Sequence, residues 1–199
     1  MDDTYKTIQS EAQGLYKEKG SRFLAFAFPV SDERQIKDLV NKLRKKYHDA
    51  RHVCYSFRIG FKDIYSRVND DGEPSGTAGK PILGQITGDE LTNILIVVVR
   101  YFGGVLLGTS GLTNAYRSAT IDCINHSQII EETIDKSFEI FFKFEQLNPV
   151  MRIVKDESVE IIHQNFEMNC TMSLRVRQSC YQRVKDRMLK IEQLTFYEQ

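Results

Sequence analysis

Residues Val97–Ala119 read VVVRYFGGVLLGTSGLTNAYRSA, and this stretch decides the fold of the first two-thirds of the chain. Ile94–Val99 is apolar without interruption, the pattern of a strand covered on both faces. Leu112, Ala115, Tyr116, Ala119 and Cys123 recur at three- and four-residue spacing, so a helix follows. Between them lie Gly103, Gly104, Gly108 and Gly111, with Thr109 or Ser110 expected as the helix cap. The paired glycines let the backbone leave the strand with dihedrals that a Cβ opposes. Free N–H groups at the helix start, flanked by hydroxyls, favour an anion. Arg100 and Arg117 add positive charge at either side.

Working upstream, a second polar loop reads NDDGEPSGTAGKP, Asn69–Pro81, and leads into a short helix from Lys80. It offers Asp70, Asp71 and Glu73, then Ser75, Gly76, Thr77, Gly79 and Lys80. If the two loops meet, these residues share a cleft with Arg100, Tyr101, Phe102, Gly103, Gly104, Gly108, Thr109, Ser110 and Gly111. Such a cleft would take a small anion, a ligand or a partner. Neither G-x-x-x-x-G-K-[ST] nor G-x-G-x-x-G is present, since Gly103–Gly108 is followed by Thr109-Ser110 and no lysine. The plainer reading is that the glycines only turn the chain.

Tyr5–Leu15 and Arg22–Phe28 read as strands around the turn KEKGS. Ser31 is expected to cap a helix whose stripe is Ile36, Leu39, Val40 and Leu43, acidic in its first turn and basic in its last. HVCYSFRIG and IYSRVN are the next strands. The pattern changes after Ser127. Ile134–Phe144 alternates Phe138, Ile140, Phe142 and Phe144 onto one face, leaving Phe141 outward. Helices at Gln146–Lys155 and Gln178–Lys190 and strands at Val159–Asn165, Cys170–Arg177 and Leu194–Tyr197 complete a β-α-β-β-α-β order. The expectation is an α+β chain of two domains: an α/β domain over 1–130 and a ferredoxin-like domain over 131–199.

Lys+Arg and Asp+Glu are both 27, so no global field draws the 199-residue chain to nucleic acid or membrane, and any such surface is a local patch. No apolar run approaches the roughly 20 residues of a membrane span. The N-terminal segment lacks the basic and apolar regions of a secretory signal, so a cytoplasmic monomer is expected. Cys54, Cys123, Cys170 and Cys180 form no CxxC, and His48, His52, His126 and His163 form no HExxH. They read as buried thiols and isolated imidazoles, with no metal and no cofactor.

NDDGEPSGTAGKPIL followed by VVVRYFGGVLLGTSGLTNAYRSA closely resembles the signature of the YigZ/IMPACT family, and ARHVCYSFRIG from Ala50 resembles its upstream block. The sequence departs from the usual pattern at Val53 and Ser110, where asparagine and glycine are common. The resemblance implies a first domain like the second domain of a small-subunit ribosomal protein. It implies a second domain like the last domain of elongation factor G. It also implies a role near translation, because the eukaryotic branch acts in translational control by competing for a stress kinase's activator.

Three functions follow from these readings. The first is a non-enzymatic factor bound to RNA or the ribosome, with Arg51, His52, Arg175 and Arg177 as candidate contacts. Against a stacking platform in the second domain, no RNP1 pattern is present. The second is a protein-partner adaptor in translational control. The third is a phosphate- or nucleotide-binding enzyme using the glycine-rich cleft, although no nucleophile–base pair emerges and no catalytic residue is assigned.

Overall fold

The computed structural model describes residues 3–61, 63–167 and 169–198. It divides into two compact units, one spanning Tyr5–Glu132 and the other formed from Thr133 onward together with Asp3 and Thr4. The first contains β2 (Ala12–Glu18), β3 (Ser21–Pro29), α1 (Glu33–Lys46), β4 (His52–Ile59), β5 (Tyr65–Asn69), α2 (Gly79–Gly88), β6 (Ile94–Tyr101) and α3 (Gly108–Asn125). β1 (Thr4–Ile8) and β7 (Ile129–Thr133) pair in a small two-stranded sheet. The single strand expected over Tyr5–Leu15 is therefore two. Three consecutive polar, exposed residues, Gln9–Glu11, separate them, and β1 pairs with β7 whereas β2 pairs with β3.

β6 sits at the centre of a five-stranded antiparallel sheet of order β2-β3-β6-β4-β5. Its unbroken apolar run has a direct cause, because both faces are covered. Leu95, Val97 and Val99 meet Ile36, Val40 and Leu43 of α1. Ile94, Ile96 and Val98 meet Ile82 and Ile86 of α2 and Leu112, Ala115 and Tyr116 of α3. Val53 joins the α1-side core.

Two helix starts differ from expectation. α1 is capped by Asp32 rather than Ser31: its Oδ1 accepts from the N–H groups of Arg34 at 2.8 Å and Gln35 at 3.0 Å. α3 begins at Gly108, with Leu107 at the cap position in helical conformation and no side chain bonding to the first turn. Thr109 and Ser110 therefore lie inside the first turn, and its N–H groups have no side-chain cap.

The glycines at this junction have separate reasons. Gly104 and Gly108 adopt φ of +87° and +70°, the left-handed region that side chains resist. Gly103 instead passes so close to Gly20 and Ser21 that a Cβ would overlap their backbone. Its N–H donates to Ser21 Oγ at 3.1 Å.

The second unit comprises β8 (Asp135–Lys143), α4 (Leu147–Asp156), β9 (Glu160–Phe166), β10 (Asn169–Arg177), α5 (Gln178–Met188) and β11 (Thr195–Glu198). Its sheet order β11-β8-β10-β9, antiparallel throughout, is the ferredoxin-like arrangement. Phe138, Ile140 and Phe142 pack against Val150 and Val154 of α4 and Val184 and Met188 of α5. Phe144 leaves this stripe: it falls in a 3₁₀ turn after β8 and is 59% exposed. Phe141 points outward, against Tyr197 with ring centroids 5.2 Å apart.

The two junction glycines are separable by substitution. Gly103→Ala is expected to lose about 3 kcal/mol or more, because backbone must move to admit the methyl group. Gly104→Ala, with open space around it, should lose only the left-handed penalty of about 1–2 kcal/mol. Urea denaturation of both variants measures the order, and equal losses would contradict this account.

Candidate functional site

Strand alternation places Arg100, at the end of β6, on the same face as Ile96 and Val98. There it sits opposite His52 of β4 on one side and Phe23 of β3 on the other. A guanidinium only 5% exposed needs an opposite charge, and Glu73, 7% exposed, supplies it. Arg100 Nη1 donates to Glu73 Oε1 at 2.6 Å. Tyr116 of α3 donates its hydroxyl to the same oxygen at 2.8 Å and packs edge-on against Phe23. The guanidinium lies over the rings of Phe23 at 5.5 Å and Phe102 at 5.8 Å.

Cys54 Sγ extends this network, within reach of Tyr116 Oη at 3.3 Å and the Asp70 carbonyl at 3.0 Å. Burial pushes the Cys54 thiol and the Tyr116 phenol far above their ordinary values, and the nearby carboxylates add to the shift. Both stay protonated. They act as donors here and not as nucleophile or base.

The loop over 70–78 is held in place by its own carboxylates. Asp70 accepts from the N–H groups of Gly76 at 2.8 Å, Ala78 at 3.1 Å and Gly79 at 2.8 Å, which caps the start of α2 from a distance. Burial raises the affinity of Asp70 for its proton. The three N–H donors and Lys80 outweigh that and hold its carboxyl below the ordinary aspartate value. Asp71, at φ +44°, accepts from Arg44 and from the Val53 N–H, both at 2.7 Å. Its carbonyl lies 2.7 Å from His52 Nδ1. A carbonyl only accepts, so Nδ1 carries the hydrogen, and Nε2 faces Glu73 Oε1 across 3.9 Å.

Above this floor lies a cavity of about 560 Å³, lined by residues of both loops. Glu73, Arg100, Phe102, Gly108 and Thr109 line it, as do Arg51 and His52. Pro74, Leu106, Leu107 and Leu112 complete the wall, and sequence reasoning did not single them out. For Leu106 and Leu107 a signal was present: apolar residues in a glycine-rich turn have no strand or helix face to fill, whereas Leu112 reads as helix core. Phe102 is 48% and Leu106 84% exposed.

The remaining cleft residues lie elsewhere. Asp70 and Asp71 serve the loop and do not line the cavity. Ser75 and Lys80 are exposed away from it, and Thr77 is buried with its hydroxyl donating to the Pro74 carbonyl. Gly76 turns the loop at φ +77°, while Gly79 packs against Val68 and Asn69. Tyr101 donates to Asp49 at 2.7 Å on the opposite face. Gly103, Gly104, Ser110 and Gly111 shape the junction without lining the cavity. Arg175 and Arg177 belong to the other unit and are paired there with Glu160 at 3.5 Å and Asp3 at 2.9 Å. Among the described residues, no group of three or more His, Cys, Asp or Glu is placed to hold a metal ion, and no helix is long and apolar enough to cross a membrane.

The sequence pattern of the Impact N-terminal domain matches residues 19–124, which contain the whole cavity. The IMPACT family member YvyE of Bacillus subtilis (strain 168) is 35% identical over 134 residues, 67% of this chain and 62% of that protein. The match thus spans less than two-thirds of YvyE. An IMPACT family member of Haemophilus influenzae is 34% identical over 161 residues, 78% of this chain and 77% of its own length. A crystal structure of a hypothetical protein superimposes with a TM-score of 0.73 at 24% identity, covering 100% of this chain and 98% of that one. At that identity the likeness is one of fold.

The buried pair yields two measurable outcomes. Glu73→Ala leaves the Arg100 charge buried without its partner and should destabilise the protein by about 3–5 kcal/mol. Tyr116→Phe, which removes one donor from the same oxygen, should cost about 1 kcal/mol. Denaturant unfolding checks both, and a Glu73→Ala loss below that of Tyr116→Phe would contradict the pairing.

Asp70 gives a pH signature. Its folded pKa lies below its unfolded value of 3.8, so its contribution is complete above that value and disappears as pH falls through the folded one. Asp70→Asn keeps one accepting oxygen but loses the charge and the acceptor for one N–H, so it should cost about 1–2 kcal/mol at pH 7, and the difference from wild type should shrink toward pH 2. Thermal unfolding across that range measures it, and a constant difference would contradict the assignment.

Proposed function

The chain belongs to the IMPACT family, and from that premise we propose that it is a non-catalytic factor that binds RNA, free or ribosomal, in the service of translation. The association with translation comes from the family, whose eukaryotic branch acts in translational control. The observation that carries the RNA reading is electrostatic. At the cavity mouth Arg51 forms no ion pair among the described residues, and the first turn of α3 has no side-chain cap. The neighbouring carboxylates are ion-paired: Glu73 with Arg100 and Asp71 with Arg44. A chain of zero net charge thus has a local surface suited to phosphate.

Binding fits this site better than chemistry does. The Cys54 thiol and Tyr116 phenol beneath it are protonated and buried, and the Glu73 carboxylate is tied into an ion pair. A second reading, a protein-partner adaptor, draws on Phe102, Val105 and Leu106, which expose apolar surface beside the cavity.

The test is fluorescence anisotropy with a short single-stranded RNA at several salt concentrations. Contact with about three phosphates gives a slope of about −2 in log affinity against log salt. Arg51→Glu should weaken binding at least tenfold, while Arg175→Glu, which disturbs a residue already facing Glu160, should change it less than twofold. Undetectable or salt-insensitive RNA binding would remove this reading. Capture of a translation protein that is lost on Leu106→Asp would then favour the adaptor.

A further inference from the structure

The cavity has more chemistry than a phosphate-binding surface requires. Its size, about 560 Å³, falls in the range of small-ligand pockets. One wall is the half-exposed ring of Phe102, and Leu106, Leu107 and Leu112 supply apolar surface around it. The floor carries both hydrogen-bonding senses. Arg100 is 5% exposed, and its Nε has no partner. Glu73 Oε1 accepts from Arg100 and Tyr116, and Nε2 of His52 faces it at 3.9 Å, the imidazole being held by the bond from Nδ1 to the Asp71 carbonyl. At the mouth stand Arg51 and the start of α3, with Gly108 and Thr109 on the lining.

A ring-sized apolar slot, a floor with donor and acceptors, and an anion site at the rim together match one ligand class. We propose that this cavity is a pocket for a single unstacked nucleotide. The base lies against Phe102 with its hydrogen-bonding edge toward His52, Glu73 and Arg100, and the phosphate sits on Arg51 and the first turn of α3. The inference rests on the RNA-binding reading and names how one base of the strand is held.

The experiment is isothermal titration calorimetry of the full chain with the four ribonucleoside 5′-monophosphates, their nucleosides and inorganic phosphate, each to millimolar concentration. At least one monophosphate should bind with one-to-one stoichiometry, at least tenfold more tightly than its nucleoside and than inorganic phosphate. Phe102→Ala should weaken it at least tenfold and Phe102→Leu by less. Arg51→Ala should bring monophosphate and nucleoside to similar affinity. The monophosphate should also displace bound RNA. No heat with any monophosphate, phosphate binding as tightly as the monophosphates, or indifference to both Phe102 and Arg51 variants would overturn the pocket. RNA binding that is salt-dependent but undisturbed by saturating monophosphate would overturn the pocket and leave the RNA surface standing. Loss of both would sink both.

Discussion

One buried ion pair organises the first unit. Arg100 cannot leave the sheet face that strand alternation assigns it, and a guanidinium among Phe23, Val98 and Tyr116 is tolerable only with a carboxylate beside it. Glu73 comes from a loop with no regular structure, so the pairing fixes where that loop lies. Tyr116 ties the same oxygen to α3, and His52 approaches it from β4. Loop, strand and helix thus meet at one atom, and the cavity is the space left between them.

The electrostatic character of the mouth follows from how the carboxylates are used. Asp70, Asp71 and Glu73 stand within four residues of one another in the sequence. In the structure each faces a different donor set: backbone N–H groups for Asp70, Arg44 and Val53 for Asp71, Arg100 and Tyr116 for Glu73. With that negative charge engaged inside the fold, the exposed cation and the uncapped helix start govern the rim. The same residues that make the site attractive to an anion therefore also hold the loop together.

Much of this was readable in the chain. Six apolar residues in succession at Ile94–Val99 could only be a strand covered twice, and the tail's element order gave its sheet topology. The meeting of the two polar loops was also legible, since Glu73 and Thr109 do share a wall. What escaped were features set by partners distant in sequence. The break between β1 and β2 falls on the polar run Gln9–Glu11, but a run of three polar residues does not by itself say that β1 leaves for another sheet, and β7, over a hundred residues on, is what it joins. Asp32 and Ser31 are equally good caps on paper, and backbone direction chose between them. Gly103 reads as a glycine that turns the chain by its dihedrals, yet it is its close approach to the Gly20–Ser21 backbone that requires a glycine there. The leucine wall escaped because Leu112 reads as core of α3, and Leu106 and Leu107 reach the cavity only through the path of the turn.

The most direct measurement is a double-mutant cycle between Arg100 and Glu73 in urea, using Arg100→Met and Glu73→Gln. If this pair holds the site together, each single change is strongly destabilising and the double variant recovers part of the loss, with a coupling of about 2–3 kcal/mol. Losses that add to within about 0.5 kcal/mol would mean that the two side chains act independently. The loop, the helix start and the cavity between them would then need another cause.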